Sequence, residues 1–127
     1  MFGGIEMKTE RWISVIFVLM IFAFVQTQAL AGYYSGNALV PLMREYDKAN
    51  ANASDVDYVK AREYGAYIMG VYDATEFLYN VPDRATRGQI MAVVSKYLKH
   101  HPEKWTEPAA SLVMTALKEA FPLKKSK

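Results

Sequence analysis

TRGQIMAVVSKYLKHHPEKW, residues 86–105, is the stretch whose reading decides the fold. Thr86 followed three residues on by Gln89 is a capping box. The threonine hydroxyl takes the N3 amide, and the glutamine side chain returns to the cap amide. Ile90, Val93, Val94, Tyr97 and Leu98 then recur at the spacing of one helical face. The pair His101-Pro102 ends that helix, because the residue before a proline is pushed out of the α region.

Working outward, the same reading applies on both sides. Toward the C-terminus, Thr106-Glu107-Pro108 opens another helix with Pro108 in its first turn, where its missing N–H does no harm. Leu112, Val113, Ala116, Leu117 and Ala120 form its buried face, and Phe121-Pro122 stops it. Toward the N-terminus, residues 79–84 form a loop broken by Pro82. Before that loop a helix is expected over residues 55–78, capped by Ser54 with Asp57 three residues on. Its stripe is Val56, Val59, Tyr67, Val71 and Leu78, and Gly65 and Gly70 each weaken it by about 1 kcal/mol relative to Ala. Ala66, Gly70 and Ala74 place small side chains along one side, where another helix can approach closely. A first helix starts at Asn37 and carries Leu39, Leu42, Met43 and Tyr46. Pro41 is tolerable only in a first turn, so this helix is expected to be short. A polar connector, DKANANAS over residues 47–54, follows it. These segments predict an all-α fold, a compact bundle of four helices.

The N-terminus has a different character. The run WISVIFVLMIFAFV, residues 12–25, is almost wholly apolar. It falls short of the roughly 20 residues a spanning helix needs. Lys8 and Arg11 precede it, and Ala29-Leu30-Ala31 follows. A positive start, a short apolar stretch and a small-x-small end make a secretory signal. Residues 1–31 are therefore expected to be a signal peptide and residues 32–127 the exported domain, released in the periplasm with no membrane attachment after cleavage. The alternative is an uncleaved signal that stays as a membrane anchor. With no Cys, a lipoprotein anchor is excluded. Small exported domains often rely on disulfides, so here the core, or a partner chain, must suffice.

Enzymatic constellations are few. G-x-S-x-G, H-E-x-x-H and phosphate-cradling glycine loops do not occur. His100 and His101 are adjacent and point to different sides of a helix end, a poor clamp for a metal even with Glu103 nearby. They suit the C-terminal end of a helix dipole. Asp73 and Glu76 share a helix face but read as solvated carboxylates. Catalysis, a metal site and a cofactor are not expected. A net charge of +2, concentrated in Lys124, Lys125 and Lys127, does not indicate nucleic acid. The aromatic surplus is more informative. Nine Tyr follow the signal, including Tyr33, Tyr34, Tyr64, Tyr67, Tyr72 and Tyr79. Tyrosine joins contact area to a polar tip and serves equally at a core edge or at an interface. Trp105, in the turn HPEKWTEP, is the clearest expected interface anchor.

The blocks SGNALVPLM, YIMGVYDA, VPDRATRGQIMAVVSKYLKHHPEKW and AASLVMTALKEAFP together resemble the Rap/Tai-type immunity proteins. The resemblance covers nearly all of residues 32–127. Its most specific part is carried by Thr86, Gly88, Gln89, Val93, Val94, Tyr97, Leu98, His101, Pro102 and Glu103. It implies an exported helical protein that binds and inhibits a peptidoglycan amidase toxin delivered by type VI secretion, working as a homodimer. Inhibition in similar proteins proceeds by loop insertion, which points to the loops 79–84 and 99–107. The partner-binding residues implied are Tyr79, Asn80, Asp83, Arg84, His100, Glu103, Lys104 and Trp105. Similar proteins carry four cysteines in two disulfides, and Met43, Tyr64, Asn80 and Leu123 stand in their places here. Trp105 and Thr106 replace an aliphatic residue and a His. The alternative reading is a small envelope-binding or acid-stress-chaperone-like helical protein without a toxin partner.

Overall fold

Why these residues settle as they do is visible in a computed structural model that describes residues 9–18 and 34–125. The chain divides into two units, Met1–Tyr33 and Tyr34–Lys127. In the first, residues 9–18 are helical (α1), with Trp12, Ile13, Ile16 and Phe17 exposed. The expected cleavage point, from Ala29 to Gly32, lies outside the described residues, as does the second half of the apolar run. Among the described residues no helix is long and apolar enough to cross a membrane.

The second unit is helical throughout, with α2 (Gly36–Asn50), α3 (Tyr58–Thr75), α4 (Arg87–His100) and α5 (Ala109–Ala120). Single 3₁₀ turns, Glu76–Leu78 and Pro102–Lys104, follow α3 and α4. The all-α class holds, with five α-helices among the described residues. Two helical pairs, α2 with α3 and α4 with α5, close around a shared core, and α3 touches every other helix of this unit. Leu39, Tyr64, Ile68, Val94, Leu98, Leu112, Val113 and Leu117 are its fully buried side chains.

The helix starts show which local signals won. At α4 the capping box forms as read: Thr86 Oγ1 accepts from the Gln89 amide at 3.2 Å, and Gln89 Oε1 accepts from the Thr86 amide at 2.8 Å. The α3 cap is Asp57 and not Ser54; its carboxylate accepts the amides of Val59 and Lys60. A carboxylate is the better partner for the positive end of a helix, so α3 begins three residues later than expected. At α2 the cap is Ser35 and not Asn37, and the helix is long, not short. Pro41 lies in its second turn on the exposed side, while Leu39, Val40, Leu42 and Met43 are buried around it. One lost backbone bond facing solvent is outweighed by four buried side chains at about 1.5–3 kcal/mol each. In α5, Pro108 stands at the cap itself, just ahead of the first turn.

The buried stripe of α3 also differs from expectation. Ala61, Tyr64, Gly65 and Ile68 face the core, whereas Val59 is 75% exposed. This helix is apolar on several sides, so its own periodicity leaves the phase open. The α2 face chooses it: the Tyr46 and Tyr64 rings meet at 5.0 Å, and the Tyr64 hydroxyl donates to the Met91 carbonyl at 2.9 Å. Burial raises the Tyr64 phenol above its ordinary pKa, so it stays a donor. The small residues Ala66, Gly70 and Ala74 are all exposed, and a side chain added at Gly70 would meet nothing. The stripe lines a shallow concavity of about 390 Å³ with Ala110 and Met114 of α5.

Met43 and Tyr64 are packed into the core. Asn80 and Leu123 lie at the surface, where the Asn80 amide bonds the Phe121 carbonyl at 3.0 Å.

Candidate partner-binding surface

Helix α4 carries the two candidate loops at its two ends. Twelve helical residues, 87–98, separate them, or about 18 Å at 1.5 Å per residue. The loops are held in different ways.

Loop 99–107 is laced to the start of the domain. The Gly36 amide bonds Glu107 O at 3.0 Å, the Asn37 amide bonds Trp105 O at 2.7 Å, and the Ala109 amide bonds Tyr34 O at 2.7 Å. A β-bridge joins Ser35 to Pro108. Gly36 is required for this approach, since a Cβ there would sit 2.7 Å from both Trp105 Cα and Leu112 Cδ1. Trp105 is half-buried in its turn. Its ring packs partly buried against the core, Nε1 donates to Leu98 O at 2.9 Å, and Arg44 lies over its face. The indole is a second donor to the Leu98 carbonyl, which also accepts the His101 amide at 3.3 Å at the end of α4. Lys104 is half-buried and donates to the Tyr97 hydroxyl at 3.2 Å; that bond raises its pKa above the ordinary lysine value. His100 and Glu103 are exposed. The Nδ1 atoms of His100 and His101 lie 2.7 and 2.8 Å from the carbonyls of Lys96 and Tyr97, so each ring is oriented by its own helix. Among the described residues no group of His, Asp and Glu is placed to hold a metal ion.

Loop 79–84 is tied through Asn80 to Phe121 at the end of α5. Tyr79 is only 6% exposed; its ring stacks on Tyr72 and its hydroxyl meets Thr75 Oγ1 at 2.8 Å. Its side chain therefore fixes the loop from inside instead of facing outward. Asn80, Asp83 and Arg84 are exposed.

The sequence did not show what lies between the loops. A shallow trough runs between α4 and α5, formed by concavities of about 440 and 330 Å³ that share Val93. The first reaches Pro82 and Arg84 in loop 79–84, and the second reaches His100 and His101 at the start of the other loop. Ala92, Ala116, Ala120 and Phe121 complete its apolar surface. The trough thus joins the two candidate loops into one continuous surface. Periodicity assigns residues to a core face or a solvent face, and a trough between neighbouring helices belongs to neither.

The charges of the domain are also segregated. Residues 34–83 carry four Lys/Arg (Arg44, Lys48, Lys60, Arg62) against eight Asp/Glu. Residues 84–125 carry eight Lys/Arg against three Asp/Glu (Glu103, Glu107, Glu119). Helix α4 has no carboxylate at all.

The chain belongs to the family of Rap1a immunity proteins, which it matches over residues 30–123. Membership in an immunity family points to a protein toxin as the partner. Neither the curated proteins nor the solved structures yield a match.

Proposed function

We propose that this protein is exported to the periplasm, where it binds and inhibits a peptidoglycan amidase toxin delivered by type VI secretion. The observation that carries the reading is the family match over residues 30–123, which spans both loops and the helix joining them. The exposed residues Asn80, Asp83, Arg84, His100 and Glu103 meet the toxin. Tyr79, Lys104 and Trp105 hold the loops in the shape that does so. The signal at residues 1–31 delivers the domain to the compartment where such a toxin acts, and a homodimer is the working form.

The test is protection. Cells that send a peptidoglycan amidase effector to their periplasm should lyse, and co-production of the full chain should prevent lysis. Arg84→Glu with Asp83→Lys should remove protection while the protein still accumulates. Lysis that proceeds unchanged beside abundant wild-type protein would end the immunity reading. Intact N-terminus recovered from the membrane fraction would replace the free periplasmic domain with an anchored one.

A further inference from the structure

Resting on the immunity reading, we propose that the segment 34–37 is a strap that positions loop 99–107 for the toxin, with Gly36 and Tyr34 as its positioning residues. The first amides of a helix have no partner within it. At α2 two of them, those of Gly36 and Asn37, go to the Glu107 and Trp105 carbonyls at 3.0 and 2.7 Å. At α5 the first, that of Ala109, goes to the Tyr34 carbonyl at 2.7 Å. The start of each helix thus holds the chain that leads into the other.

The two halves of the loop are held differently. The first half is held by its own turn, in which the Lys104 and Trp105 amides return to the His101 and Pro102 carbonyls at 3.0 and 3.3 Å. The second half leans on the strap, which grips the carbonyls of Trp105 and Glu107 on both sides of the exposed Thr106. Leu39 and Val40, buried just after the strap, refer that grip to the core. Gly36 permits it, because a Cβ there would lie 2.7 Å from Trp105 Cα and 2.8 Å from the Trp105 carbonyl oxygen. Tyr34 pins the strap to α3: its hydroxyl donates to the Glu63 carboxylate, and its ring meets that of Tyr67 at 5.3 Å. Thr106 and Glu107, both exposed, therefore keep a fixed spacing from Glu103 only while the strap is docked. A strap docked in about a tenth of the molecules would lower the apparent affinity about tenfold, since only the docked fraction binds.

Two measurements test this: affinity for a purified amidase effector that the chain neutralises in the protection test, and hydrogen exchange at the buried Ala109. Gly36→Ala and Tyr34→Ala should each speed exchange at Ala109 and weaken binding roughly tenfold. Saturating effector should restore protection at Ala109 in Tyr34→Ala, because coupling between docking and binding is reciprocal. Ile68→Val, a core change that also lowers the melting temperature, should leave affinity unchanged. Faster exchange at Ala109 with wild-type affinity in both strap variants would overturn the strap and leave immunity standing. An equal loss of affinity in Ile68→Val would assign the effect to stability at large and overturn the strap as well. Unchanged exchange at Ala109 in both strap variants would show that Gly36 and Tyr34 do not hold it, with the same consequence. A chain that neutralises no amidase effector would overturn the immunity reading and the strap together.

Discussion

The two loops at the ends of α4 solve the same problem with different means. Loop 99–107 and the residues just after it are fixed by backbone: three amide bonds to the segment 34–37, a β-bridge and a glycine that lets two stretches of main chain touch. Its aromatic, Trp105, points inward and closes the α4 C-terminus. Loop 79–84 has one such backbone bond, from Asn80 to Phe121, and relies on the buried Tyr79 ring. Where backbone fixes a loop, its side chains are spent on the fold and fewer are left to meet a partner. Under the proposed immunity function, the exposed charges of loop 79–84 would define specificity and loop 99–107 would provide a rigid stop.

The comparison breaks entirely if α4 is lost. Val94 is fully buried, and an unpaired carboxylate there costs several kcal/mol. Val94→Asp should abolish the cooperative thermal transition seen by circular dichroism, and both loops should lose their amide protection together. A retained transition would mean that this face of α4 is not core.

A smaller effect separates the loops. Trp105→Ala removes a half-buried ring and its hydrogen bond, and should cost about 3 kcal/mol in urea denaturation. Arg84→Ala, exposed in the other loop, should change stability by less than about 0.5 kcal/mol. Equal effects would dissolve the distinction between a structural and a presenting loop.

Gly36→Ala addresses the lacing itself. Forcing a methyl group against Trp105 and Leu112 should cost about 1–3 kcal/mol. Hydrogen exchange should accelerate at Gly36, Asn37 and Ala109, with the Asn80 amide unaffected. Uniform acceleration across the domain would show that the lacing and the core are one cooperative unit.

The smallest expected effect lies away from both loops and serves as their reference. Glu45 accepts the Asp57 amide at 2.8 Å and pairs with Lys48, which together lower its pKa. A carboxyl lowered on folding adds stability above its unfolded pKa and loses it as pH falls through the folded value. Wild type should therefore lead Glu45→Gln in stability near pH 7, with the gap closing as pH drops toward and below that lowered value. A gap that is constant with pH would remove the charge from the explanation.

Much of this was legible in the sequence, and the reasons are specific. The Thr86 box, the α4 face through Ile90, Val94 and Leu98, and the α5 face through Leu112, Val113 and Leu117 all rest on contacts within a few residues. Local sequence carries such contacts whole. The sequence also carried the family, whose blocks span the domain. Three matters were decided only when the helices met. The buried phase of α3 was set by Tyr46 and Met91, which lie on other helices. Pro41 survives within α2 because burial around it outweighs one missing bond. Trp105 is tied into the chain because the Leu98 carbonyl and the Gly36 backbone lie where its indole and main chain can reach them. The trough between α4 and α5 has no signature in either helix alone. Periodicity records which side of a helix avoids water, and only packing against a second helix determines what shape the remaining surface takes.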